Sequence, residues 1–225
     1  RRSGVVVRLA PTTSEEAALH ARATVQWSCA RPGHEEALGG TEIASHDSQD
    51  PQALIDFERP DHYRADNLRA TDAPVFTIEA VAAKIREDAP EVAERLTVVA
   101  PGSTFDVGLP VRAVGELHAV IHPEFPRITN SGYVVDAGGA KVYHPGDALT
   151  EPGEAVDVLL CPVSAPWMRA SEAIEFARAV RAPRNLAIHD RVYSDAGLAI
   201  VDGHMNAFLP KDGLEYVRLA DGADL

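Results

Sequence analysis

Cysteine is scarce in this chain, with Cys29 and Cys161 the only two in 225 residues. Two thiols cannot build a disulfide framework, and Cys161 lies in the apolar run Val156 to Val163, where a small buried thiol is expected. A reducing, cytoplasmic compartment is therefore predicted. Long apolar runs are missing as well: none approaches the roughly 18 residues that a membrane span needs, and Val5-Val-Val7 is too short for a signal-peptide core. Positive charge is the third shortage. Lys+Arg 21 against Asp+Glu 34 gives a net charge of -13, which repels phosphate backbones and anionic membranes. Nucleic acid and membranes are set aside as partners, a small-molecule substrate is favoured, and a homo-oligomer is compatible with the composition. The chain also lacks an initial methionine. Starting on Arg1, it is expected to be a fragment, a processed product or the output of a misplaced start.

Periodicity is what residues 1–50 lack. Ser14-Glu-Glu16 before Ala17-Ala-Leu19 resembles a helix start, but Arg31-Pro-Gly-His34 and Ser45 to Asp50 follow neither period 2 nor period 3.6, and the segment stays unassigned. The remainder reads as α/β within one domain spanning 1–225, since a length of roughly 150 residues per domain is only a soft prior. A short helix is predicted near Ala65 to Ala70 and a strand at Pro74 to Thr77. Ile78, Val81, Ala82 and Ile85 recur at helical spacing, and after Pro90 a second short helix carries Val92 and Leu96. Strands are expected next at Leu96 to Val99, Ser103 to Val107 and Pro110 to Val114. The run Val156 to Cys161 suits a strand covered on both faces. Ser171 is the expected N-cap of a helix whose apolar stripe is Ala173, Ile174, Ala177 and Val180. Leu186 to Ile188 is a short strand ending on His189-Asp190, and a last amphipathic stretch precedes the strand Leu214 to Leu219.

The most informative stretch is Thr129 to Asp147. Tyr133 to Val135 and Lys141 to Tyr143 flank Asp136-Ala-Gly-Gly139, whose glycines supply the positive φ of a tight hairpin turn. Pro145-Gly146 then ends the second strand and delivers Asp147 at a strand end, where scaffolds place chemistry. Asp61, His62, His118 and His189 share that placement, each just after a strand or turn. Imidazoles and carboxylates can hold a divalent cation while leaving a position open for water. A cation so held lowers the pKa of that water and polarises a carbonyl or phosphoryl oxygen. His122, His144 and Trp167 are read as supporting or structural residues, and Asp190 as a residue that orients His189 or caps the next segment of chain.

Four segments together, Val111 to Pro126, Val142 to Asp147, Val156 to Pro162 and Leu186 to Asp190, resemble the metallo-β-lactamase-fold hydrolases, in particular the branch of ascorbate-6-phosphate lactonase-like proteins. The resemblance covers roughly 60–222 and implies a four-layer αββα sandwich with a metal centre at one edge of the paired sheets. It implies Asp147 as the aspartate bridging two metals, His118 as a ligand of the first and His189 as a ligand of the second. The family's His-x-His-x-Asp-His motif falls on Phe57-Glu-Arg-Pro-Asp-His62, so Phe57 and Arg59 replace two ligands while Asp61 and His62 remain. A guanidinium at Arg59 would stand near the missing metal and pair with Asp147 or Asp61. One metal site, of Asp61, His62, Asp147 and His189, would survive and bind zinc, manganese or iron. Asp61 would position the attacking water on an ester, lactone or phosphoester. The family's first strands are not recognisable in 1–50, which predicts exposed sheet edges there. The alternative to a hydrolase is a catalytically inactive member that binds a ligand or partner through the old cleft, and a third reading is the product of a disrupted gene.

Overall fold

Alternation decides which side of each strand is buried, and the computed structural model shows it repeated strand after strand. The structure describes residues 65–69, 72–115, 117–190 and 192–219, together with the backbone of four earlier strands. These four are β1 (Val5–Arg8), β2 (Thr24–Ser28), β3 (Gly40–Ala44) and β4 (Gln52–Ile55). With β5 (Val75–Thr77) and β6 (Leu96–Val98) they form one sheet in the order β1-β2-β3-β4-β5-β6. Its first four strands are antiparallel and its last three parallel. Residues 1–50, unassigned from the sequence, supply three of these strands, paired through backbone ladders that need no hydrophobic period.

The second sheet contains β7 (Thr104–Asp106), β8 (Pro110–Val114), β9 (Gly132–Asp136), β10 (Lys141–His144), β11 (Val158–Pro162), β12 (Arg184–Ile188) and β13 (Glu215–Val217). Their order is β13-β12-β11-β10-β9-β8-β7. Val111, Val135, Val142, Leu160 and Leu186 face one side, in a cluster that Phe76 of the first sheet joins; the Phe76 ring stacks on Phe105 at 5.3 Å. Val134, Tyr143, Leu159, Cys161 and Ala187 face the other side and meet α3 (Ala170–Val180) and α4 (Asp195–Phe208). On the far side of the first sheet, Val75 packs with α1 (Ala65–Arg69) and α2 (Glu79–Asp88) through Leu68, Val81 and Ile85. Helices, sheet, sheet and helices stack as four layers.

Most predicted elements occur where the periodicity puts them, the hairpin included: Lys141 pairs with Asp136 and the turn closes with Ala137 N–H donating to the Ala140 carbonyl at 2.9 Å. Gly138 and Gly139 take φ of 73° and 114° there. Two expectations are corrected. Pro90–Arg95 is a short 3-10 helix, the form such brief connectors commonly take, and Leu96 begins β6. Ser171 is not the cap of α3. Arg169 is, and its N–H donates to Glu172 Oε2 at 2.6 Å. Cys161 is free and fully buried, and burial pushes its thiol up to about 12, as expected of an inert core residue. No helix among the described residues is long and apolar enough to cross a membrane.

Candidate metal centre

Strand direction gathers the chemistry at one edge. β8, β10, β11 and β12 run the same way, with β9 antiparallel between the first two. Their C-terminal ends, and the N-terminal end of β9, therefore share one edge of the sheet. After β8 the chain reaches His118, after β10 Asp147, after β11 Ser164 and after β12 His189, while Asn130 and Ser131 precede β9.

The three side chains that the sequence singled out in this half of the chain meet there. His118 Nε2 lies 3.3 Å from Asp147 Oδ2, and His189 Nε2 lies 3.1 Å from Asp147 Oδ1. His118 and Asp147 are buried, and the His189 side chain is only 11% exposed. Each imidazole is held from behind: His118 Nδ1 donates to the Ala119 carbonyl at 2.7 Å and His189 Nδ1 to the Ser164 carbonyl at 2.6 Å. Because a carbonyl only accepts, the proton sits on Nδ1, and a neutral ring then turns the lone pair of Nε2 towards a carboxylate oxygen. Each Nε2 thus stands against one oxygen of the same carboxylate, a nitrogen and oxygen pair of the kind that ligates a divalent cation. The donor set therefore fits a divalent metal, with one nitrogen and one oxygen at each of two corners. The corners diverge, one oxygen to each ring, and among the described residues no three His, Cys, Asp or Glu side chains gather around one point. Asp61 and His62, with Phe57 and Arg59, lie outside the described residues.

The backbone around these residues is clamped by polar groups. Asn130 Oδ1 accepts from the Asp147 N–H at 2.8 Å, Asn130 Nδ2 donates to the Pro145 carbonyl at 3.0 Å, and Ala119 N–H donates to the Asp147 carbonyl at 2.8 Å. Gly146 adopts φ 63° between them, and its N–H donates to His144 Nδ1 at 3.0 Å. Gly132 is required for the close approach: a Cβ there would meet the His144 carbonyl oxygen at 2.9 Å and Pro145 Cα at 3.0 Å. Arg127 donates from Nη2 to the His118 carbonyl at 2.7 Å. His189 has φ 56°, a left-handed conformation costly for a side chain with a Cβ, and Ser164 fixes it twice. Its Oγ donates to the His189 carbonyl at 2.6 Å while its own carbonyl takes the ring proton.

Asn130, Ser164 and Arg127 were not foreseen as site residues. The signal for Asn130 was available: an Asn beside a hairpin whose other strand ends on Pro-Gly-Asp has a loop amide and carbonyl within reach. His122 is exposed, its Nδ1 accepting from the Glu124 N–H and its ring lying edge-on to Phe125, and it is not among the residues that meet at Asp147. Trp167 packs on the helix-side core and presents its edge to His118 at 5.2 Å. Asp190 has a partner that the sequence reading did not name. Its carboxylate is engaged by Arg218, which also binds Asp202, so it ties the loop after His189 to β13 and α4. Burial opposes ionisation of Asp202, yet the hydrogen bonds from Arg218 and Tyr216 outweigh it and hold that carboxyl below its ordinary value.

Comparison with known proteins bears on the family and the fold. The Mycobacterium tuberculosis protein Rv0786c is 38% identical over 165 residues, covering 71% of this chain and 76% of its own. A protein from Parabacteroides distasonis assigned as a metal-dependent hydrolase has the same fold, with a TM-score of 0.67, 18% identity and coverage of 97% of this chain and 98% of its own. An isothiocyanate hydrolase from Delia radicum gut bacteria superposes with a TM-score of 0.59 at 13% identity, covering 99% of this chain and 98% of its own. The model of the beta-lactamase superfamily domain matches residues 44–189, which contain every residue of the Asp147 cluster. The chain belongs to the beta-lactamase superfamily, on a metallo-β-lactamase fold.

Proposed function

We propose that this protein is a metal-dependent hydrolase of esters, lactones or phosphoesters, with Asp147 and His189 among the ligands of its one metal and His118 set against the other oxygen of the same carboxylate. The observation that carries the reading is the pair of Nε2 atoms at 3.3 and 3.1 Å from the two oxygens of one buried carboxylate. A bound divalent cation would supply a water of lowered pKa and polarise the scissile carbonyl or phosphoryl oxygen. The chain's own residues do the positioning. Ser164 and the Ala119 carbonyl fix the ring tautomers, and Asn130 fixes the Asp147 loop before any ligand binds. Asp61 would position the attacking water and, with His62, complete the site that holds Asp147 and His189. Phe57 and Arg59 at two ligand positions of the family motif favour one metal over two, and Arg59 would balance the charge of the absent one. Zinc, manganese and iron all accept such nitrogen and oxygen donors.

The same two substitutions favour, as second reading, an inactive member that binds a ligand at this edge. Turnover separates the two. Metal-loaded protein is expected to hydrolyse at least one of a panel of aryl esters, lactones and phosphodiesters, with His189→Ala losing at least about a hundredfold in kcat/KM. Equal rates for the wild type and His189→Ala would contradict the hydrolase reading.

A further inference from the structure

A cleft of about 390 Å³ opens on the first sheet's side of the Asn130 segment. Ile78, Glu79 and Ala80 at the start of α2 form one wall, the end of β6 and the residues after it, 98–101, another, and Thr129 and Asn130 the third. Its volume is that of a small-molecule site. Nearly all of its surface is aliphatic. The Glu79 carboxylate is engaged by Arg86 at 2.8 Å, and Asn130 spends both ends of its amide on the Asp147 loop, so neither offers a dominant polar anchor. Val98 stays 42% exposed at the end of its strand, an aliphatic side chain left uncovered in a concave place.

The cleft's position ties it to the metal edge in two ways. β4, β5 and β6 run parallel, so the cleft lies beyond the C-terminal ends of β5 and β6, where open α/β sheets hold ligands. The chain leaving the same end of the adjacent β4 carries Asp61 and His62. The third wall is also the segment that supports the cluster: Thr129 bridges to Leu117, His118 N–H donates to the Ile128 carbonyl at 2.9 Å, and Asn130 holds Asp147. The cleft and the Asp147 loop thus have the Thr129 and Asn130 segment in common.

We infer that this cleft is the subsite for an apolar acyl or aryl group of the substrate. The inference rests on the hydrolase reading and narrows its substrate to esters, lactones or phosphoesters bearing a hydrophobic substituent. It predicts that affinity grows with chain length, because each methylene removed from water strengthens binding by about fourfold.

The test uses the full chain and two readouts. The first is calorimetric binding of neutral 1-alkanols from butanol to octanol, compared among wild type, Ala100→Trp and Val98→Trp. Both substitutions lie at exposed lining positions, and circular dichroism checks that each variant is folded. The wild type is expected to gain about fourfold in affinity per methylene until the cleft is full, and either indole to flatten that series. The second readout is kcat/KM of the metal-loaded protein on p-nitrophenyl esters from acetate to octanoate, expected to rise along the series in wild type and to stay level in the variants. A flat alkanol series in wild type, or a slope unchanged in both folded variants, overturns the inference. So does hydrolysis that is indifferent to chain length, which leaves the hydrolase reading standing. Chain-length-dependent alkanol binding that the indoles abolish, with no ester turned over, upholds the apolar site and counts against the hydrolase reading.

Discussion

The interior of the second sheet and its edge are held together by different forces. Between β11 and β12 every residue but Arg184 is buried, and Leu159, Leu160, Leu186 and Ile188 are aliphatic side chains that pack without direction. At the edge where these strands end, directed bonds fix the polar residues: Asn130 to Asp147, Ser164 to His189, Arg127 to His118. Apolar burial supplies most of the stability but tolerates small shifts. Hydrogen bonds supply less, yet they fix a carboxylate and two rings within a few tenths of an ångström. Mutations in the two regions should therefore separate stability from ligand binding.

Leu160→Ala, in the dry layer between the sheets, is expected to cost about 2–5 kcal/mol in denaturant unfolding while leaving metal affinity per folded molecule near the wild-type value. Asn130→Ala should invert the pattern. Loss of its two bonds leaves the Asp147 N–H and Pro145 carbonyl without that partner, costing about 1–3 kcal/mol, and metal affinity measured by competition with a chelator should fall by about 10–100-fold. If Leu160→Ala weakened metal binding as much as Asn130→Ala, the division between the regions would fail. Gly132→Ala probes the boundary. The added methyl meets backbone that cannot swing aside, so the 144–147 loop must move, at about 1–3 kcal/mol and with reduced metal uptake.

Acid should weaken the periphery before the core. Hydrogen bonds from Lys141 and Arg112 lower the Glu154 pKa, and Arg218 and Tyr216 lower that of Asp202 against the cost of burial. Both carboxyls are depressed in the folded state, so the stability they contribute is fully present above the unfolded value of about 4 and lost as pH falls through the folded values. The urea midpoint should fall between pH 5 and 3 and change less in Asp202→Asn. The smallest expected effect is at Ser171, exposed inside the first turn of α3. Ser171→Ala should raise stability by a few tenths of a kcal/mol, since it improves helix propensity and removes no cap; a loss near 1 kcal/mol would restore Ser171 as the cap.

The same contrast explains what could be read in the residues. The hairpin was legible because Gly138 and Gly139 leave few alternatives, and β11 because five successive buried positions admit only apolar residues. Asp147 and His189 were legible as strand-end polar residues coming directly after such runs. The strands β1 to β3 were not, since they are four or five residues long with no clean alternation, and their pairing partners are set by backbone ladders. The partner of Asp190 was equally hidden: Arg218 lies on another element, and local reasoning offered only His189 or the adjoining turn. Asn130 is the intermediate case, close enough to the hairpin to have been inferred from turn chemistry.

The most direct test of the metal centre is elemental analysis of the purified full chain after incubation with zinc, manganese or iron(II) and removal of excess, beside Asp147→Ala. The account predicts about one equivalent of bound metal in the wild type, held through the carboxylate that meets both imidazoles, and almost none in the variant. No metal in the wild type, or equal metal in both proteins, would contradict it.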